Sequence, residues 1–206
     1  VERFTSILRR SYGDRKIHVT TGTHAAYVAL RDNGGIEPSC VIVDIGEEVT
    51  DIAFVKEGLF VSQHSFPLGT YELYRSLSTV TGSSLEARAL VEAYRLDKLS
   101  PGNVRIVEKA ITAFALQWQK MLHGAVEEGS NGFHVPAQWY VVADQRFESR
   151  FTGVISSDAF LQHASTAPLA PIFLNALKFS AQIQASTAET PDPSLAIGAL
   201  FIERVL

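Results

Sequence analysis

Apolar and polar positions change period several times along the chain, and the changes divide it into elements. Val41, Ile42 and Val43 form an unbroken apolar run ending on Asp44, and two β-rich runs follow, Ile52 to Lys56 and Leu59 to Phe66, separated only by Glu57-Gly58. The pattern predicts an antiparallel meander of three strands, its second turn a two-residue hairpin in which Gly58 takes the positive φ of a primed turn. Upstream, Phe4, Ile7 and Leu8 share one helical face, closed by Arg9 and Arg10 and ended at Gly13. Ile17 to Val19 reads as a short strand, and Thr20 or Thr21 caps a helix from about Ala25 to Arg31, stopped by Asn33-Gly34-Gly35.

Downstream of the meander the period is mostly helical. Tyr71 to Val80 predicts a helix opening at Gly69, and Ser83 with Glu86 forms a capping box that starts another through about Leu96. Ser100-Pro101 opens the longest helix, to about Glu127, because proline at the first helical position forfeits no hydrogen bond. Val104, Val107, Ile111, Phe114, Trp118, Leu122 and Ala125 recur at spacings of three and four, a continuous stripe that assigns Trp118 and neighbouring Met121 to the core. Gly129 to Pro136 has loop composition, Trp139 to Val142 reads as a buried strand, and Phe179 to Ile183 is the best strand candidate beyond it. Pro191-Asp192-Pro193-Ser194 leads into a last helix, Leu195 to Val205.

The turn after Val43 carries the candidate chemistry. Asp44, Gly46 and Thr50 stand within seven residues: a carboxylate at a strand end, a glycine that permits close backbone approach, and a hydroxyl. Backbone N–H groups in such a turn can cradle a phosphate while the carboxylate holds a hydrated metal.

Asp44-Ile45-Gly46, then Thr50-Asp51-Ile52, the hairpin and Phe66-Pro67-Leu68-Gly69 together resemble the second phosphate-binding motif of the actin-like ATPase superfamily, the nearest branches being those of FtsA and PilM. The resemblance implies an α/β, ribonuclease H-like lobe with a mixed five-stranded sheet, the meander plus parallel strands, flanked by helices. It implies ATP and Mg²⁺ as cofactors, with Asp44 holding the metal through water, Gly46, Glu47, Glu48 and Thr50 at the phosphates, and Gly69, Thr70, Ala143 and Asp144 close to the nucleotide. It also implies one lobe of a longer two-lobe protein, spanning residues 1–206 and least family-like over 144–190. The start at Val1 without a methionine agrees with a piece of something longer.

Three departures bear on activity. Glu47 and Glu48 replace a Gly-Gly pair, Ala143-Asp144-Gln145-Arg146 replaces a glycine turn beneath the adenosine, and Thr21 or a neighbour stands where the family places an acid near the attacking water. A carboxylate about 4 Å from a phosphate costs about 4 kcal/mol at an effective dielectric of about 20. These substitutions favour a degenerate scaffold over an enzyme, and the resemblance implies its setting: a cytoplasmic partner of proteins at the inner face of the cell membrane, in cell division or pilus assembly, with self-association allowed. A functional ATP-binding lobe is the alternative.

Composition changes this picture only by exclusion. The 206 residues carry 18 basic and 22 acidic side chains, a net charge of −4, and no basic excess to recruit nucleic acid. Cys40 is the single cysteine, which excludes a disulfide within the chain and reads as a small core residue. The histidines at 18, 24, 64, 123, 134 and 163 show no zinc spacing, and neither a nucleophile elbow, a Walker loop nor a dinucleotide fingerprint occurs. No apolar run reaches the roughly 20 residues of a membrane span.

Overall fold

The computed structural model describes residues 2–13, 17, 19–33, 35–144, 147–157, 169–174 and 192–205. Among them a five-stranded sheet of order β3-β2-β1-β4-β5 is built from β1 (Cys40–Ile45), β2 (Thr50–Lys56), β3 (Leu59–Phe66), β4 (Gln138–Ala143) and β5 (Ala170–Leu174). β1, β2 and β3 are antiparallel neighbours, whereas β4 and β5 run parallel to β1, which gives the mixed sheet expected from the resemblance. The hairpin turn places Glu57 and Gly58 at φ 51° and 77°.

Helices cover both faces. Labelled in chain order, they are α1 (Glu2–Tyr12), α2 (Gly22–Asp32), α3 (Tyr71–Thr81), α4 (Ser84–Arg95), α5 (Pro101–Ser130), α6 (Glu148–Ile155) and α7 (Pro193–Val205). One core lies under α3 to α6 and centres on the buried rings of Trp118 and Trp139, with Val41, Val43, Ile52 and Phe54 supplied by the sheet. The second lies under α2 and α7, where Ala26, Leu30, Ile197 and Leu200 meet Ile42, Ala53, Val55 and Tyr140. Alternation along β1 explains the division, because Val41, Val43 and Ile45 face one core and Ile42 the other.

The caps follow the sequence closely. Thr21 Oγ1 accepts from His24 N at 3.3 Å, Ser83 Oγ from Glu86 N at 3.2 Å, and Ser100 Oγ from Asn103 N at 3.5 Å, with Pro101 beginning α5. On the α5 stripe Val107, Ile111, Phe114, Trp118, Leu122 and Ala125 are buried, and Met121 packs at the core edge.

Three readings are corrected and one strand is added. Ile17 and Val19 belong to no strand, and Val19 is exposed, so little burial rewards pairing there. α5 continues three residues past Glu127 and stops where Asn131 takes a left-handed φ of 45°. Gly129 is therefore helical rather than loop, in a place where a Cβ would press into the Phe54 ring. The sequence also left β5 unassigned; it is short and contains Pro171, both of which weaken a strand signature. Phe179 to Ile183 lies outside the described residues, as do Gln145 and Arg146. Among the described residues no helix is long and apolar enough to cross a membrane.

Candidate functional site

Register decides what the Asp44 turn can offer. Asp44 pairs with Asp51 across β1–β2 and with Val142 across β1–β4, while the next residue, Ile45, pairs with Thr50 and Ala143. Asp44 and Ala143 thus meet at the same end of the sheet and line one cavity of 260 Å³, together with Gly46, Glu47, Thr70, Tyr74, Asp144, Asp192 and Ser194. Successive strand residues point to opposite faces, so Thr50 turns away from the face that carries Asp44. Its hydroxyl donates to Leu68 O at 2.7 Å and accepts from Trp118 Nε1 at 3.1 Å, fully buried beneath α5. Closeness in sequence grouped Asp44 with Thr50; the pleat separates them.

Asp44 sits against backbone. A Cβ on Gly22, the first residue of α2, would overlap Asp44 Oδ2, so the glycine is what lets the helix start approach the carboxylate. Among the described residues that carboxylate has no hydrogen-bond partner. Its pKa is pushed up to about 6, first by burial and then by the negative charges of Asp51 and Asp192. Asp51 accepts instead from the Ser65 hydroxyl.

The start of α3 is satisfied from within the protein. Thr70 N donates to Gly46 O at 3.0 Å, Tyr71 N to Glu47 O at 2.7 Å, Glu72 N to Gly69 O at 3.2 Å and Leu73 N to Thr70 O at 3.3 Å. The amides that would greet an anion at a helix N-terminus are therefore engaged. Gly69 makes the contact with the turn, since a Cβ there would overlap the carbonyl oxygens of Gly46 and Glu47. At α7 the same role falls to Asp192, whose Oδ1 accepts from Ser194 N at 2.8 Å and Leu195 N at 3.4 Å.

The paired glutamates are held by arginines of α3 and α4. Glu48 forms an ion pair with Arg75, and Glu47 one with Arg88 at 3.7 Å. Arg88 lies over the rings of Tyr71 and Tyr74, with centroids 5.5 and 5.0 Å away. Neither of these arginines lines the cavity; its charged lining among the described residues is Asp44, Glu47, Asp144 and Asp192. Among the described residues no group of three or more acidic, histidine or cysteine side chains is arranged to hold a metal. Among the described residues the lining thus carries four carboxylates and no lysine or arginine.

A second cavity, of 390 Å³, lies among α4, α5 and α6. Tyr74 walls the first cavity and Phe147 the second, their rings in edge-to-face contact at 6.3 Å. Sequence reasoning missed Tyr74, Asp192 and Ser194 at the first cavity, and Gly22 against the Asp44 carboxylate. Asp192-Pro193-Ser194 was legible as a helix start, but what it faced was not.

No protein-family model matches the chain, and no curated protein matches it. Solved structures share its fold. A chain of the PilM–PilN type IV pilus biogenesis complex superposes on 98% of this chain and 57% of its own length, with a TM-score of 0.72 and 13% identity. A non-polymerisable quadruple mutant of pCBH ParM matches 87% of this chain and 51% of its own, with a TM-score of 0.53 and 13% identity. An archaeal actin homologue matches 92% of this chain and 56% of its own, with a TM-score of 0.51 and 13% identity. The chain has the actin-like fold and spans little more than half the length of these structures.

Proposed function

We propose that this chain is a degenerate actin-like lobe of a longer two-lobe protein, serving as a scaffold for partner proteins, with weak or no ATP hydrolysis. The observation that carries the reading is the Asp44 cavity, whose charged lining among the described residues is four carboxylates and no basic side chain, at the place where the fold's phosphate turn would have to cradle an anion. The occupied amides of α3 and the inward turn of Thr50 act in the same direction.

A partner-binding role draws support from the solved PilM–PilN pilus biogenesis complex, an actin-like protein in an assembly with another protein. In this reading the chain works on the cytoplasmic side of a membrane-associated apparatus for pilus assembly or cell division. It would act through surfaces rather than chemistry, and neither nucleotide nor Mg²⁺ would be needed to hold the fold.

A phosphate-release assay with ATP and Mg²⁺ on the full-length protein tests the proposal. Release no faster than in buffer is the expected result. Turnover that is abolished by Asp44→Ala would overturn it and establish the alternative, a working ATP-binding lobe.

A further inference from the structure

The 390 Å³ cavity among α4, α5 and α6 has the size of a small-molecule site and a lining to match. Its floor is apolar, formed by Val91, Leu99, Val104, Ile111 and Phe147. Its rim carries both signs of charge, Arg95 and Arg150 against Asp97 and Glu108.

Three of these charges are placed for a ligand. Arg150 lies over the Tyr94 ring at 5.9 Å and donates to its hydroxyl at 2.7 Å; among the described residues it makes no ion pair, which leaves guanidinium N–H groups for a carboxylate. Ser149 and Arg150 also belong to the first turn of α6, whose N-cap Phe147 supplies no side-chain acceptor. Glu108, on α5, accepts from the same Tyr94 hydroxyl at 3.4 Å. Asp97 closes α4 at φ 55°, with Asp97 N bonded to Tyr94 O and Lys98 N to Ala93 O, a helix end normally filled by glycine. Aspartate costs about 1 kcal/mol there, and what it adds over glycine is a carboxylate at the cavity mouth. Arg95 is already paired with Glu92 at 2.6 Å and is not needed for the ligand.

We propose that this cavity binds a free apolar α-amino acid, with the side chain on the floor, the carboxylate on Arg150 and the ammonium on Asp97 and Glu108. A zwitterion answers both signs of the rim at once, whereas a simple anion would face two carboxylates. The assignment stands independently of the scaffold role proposed above.

Calorimetric titration of the full-length protein with L-phenylalanine and L-leucine tests it, with N-acetyl-L-phenylalanine amide and adenosine as comparators. Saturable one-site binding of the amino acid is expected, weakened roughly a hundredfold for the amide, which lacks both charges. Arg150→Met and Asp97→Gly should each weaken binding roughly tenfold, and because glycine suits the left-handed position, the second variant should lose affinity while keeping or gaining stability. Absence of saturable amino-acid binding, equal binding of the amide, unchanged affinity in both variants, or tighter binding of adenosine displacing the amino acid would each overturn the assignment.

Discussion

Trp118 donates its indole N–H to the hydroxyl of Thr50 across 3.1 Å, and the Thr50 O–H donates in turn to the carbonyl of Leu68 at 2.7 Å. This chain joins the longest helix to the first residue of β2 and to the segment entering α3, in a fully buried position. Thr50→Val keeps the shape and strands both partners, so urea unfolding should report a loss of about 1–3 kcal/mol. Adding Trp118→Phe should cost less in that background than alone, because its N–H is by then already unpaired.

Asp44 predicts a pH dependence of opposite sign to that of a salt-bridged aspartate. Its pKa is raised from 3.8 to about 6, so the folded protein binds the extra proton between those values. Stability contributed by this group is complete below about pH 4, falls as pH rises towards 6, and is flat above. Asp44→Asn should therefore raise the unfolding free energy at pH 7 by at most about 3 kcal/mol and give no gain at pH 4. Denaturant titrations of both proteins at the two pH values check this, and an equal effect at both would refute it.

Two glycines at the site should differ in what they tolerate. At Gly69 an added methyl meets the backbone carbonyls of Gly46 and Glu47, which are fixed by the hydrogen bonds that dock α3 on the turn. At Gly22 it meets only the end of the Asp44 side chain, which can rotate away. Gly69→Ala should lower stability by about 2–3 kcal/mol and Gly22→Ala by about 1 kcal/mol, compared by chemical unfolding.

Cys40 should be chemically silent in the native state. It is fully buried at the start of β1, and burial pushes its thiol up to about 12. A disulfide exchange reagent at pH 8 should react only after denaturant is added. Rapid labelling of the native protein would show that β1 opens locally.

The sequence made the meander, the caps and the α5 stripe legible because each depends on neighbours a few residues apart: Gly58 in its turn, Ser83 three residues from Glu86, Trp118 four from Phe114. The fold relationship was visible in Asp44-Ile45-Gly46 and the residues up to Gly69 for the same reason. What stayed hidden depends on how the strands pair and how distant segments dock. Thr50 could be placed beside Asp44 in sequence, but the Ile45–Thr50 register that sends it to the opposite core is a property of the sheet. Gly22 and Asp192 reach Asp44 from far along the chain, and the capture of Tyr71 N by Glu47 O requires α3 to be docked on the turn.

On the proposed reading the Asp44 turn no longer holds phosphate, and calorimetric titration of the full-length protein with ATP and Mg²⁺ tests this without relying on turnover. No measurable heat of binding is expected, with identical traces for the wild type and Asp44→Ala. Micromolar affinity in the wild type that disappears in Asp44→Ala would contradict it.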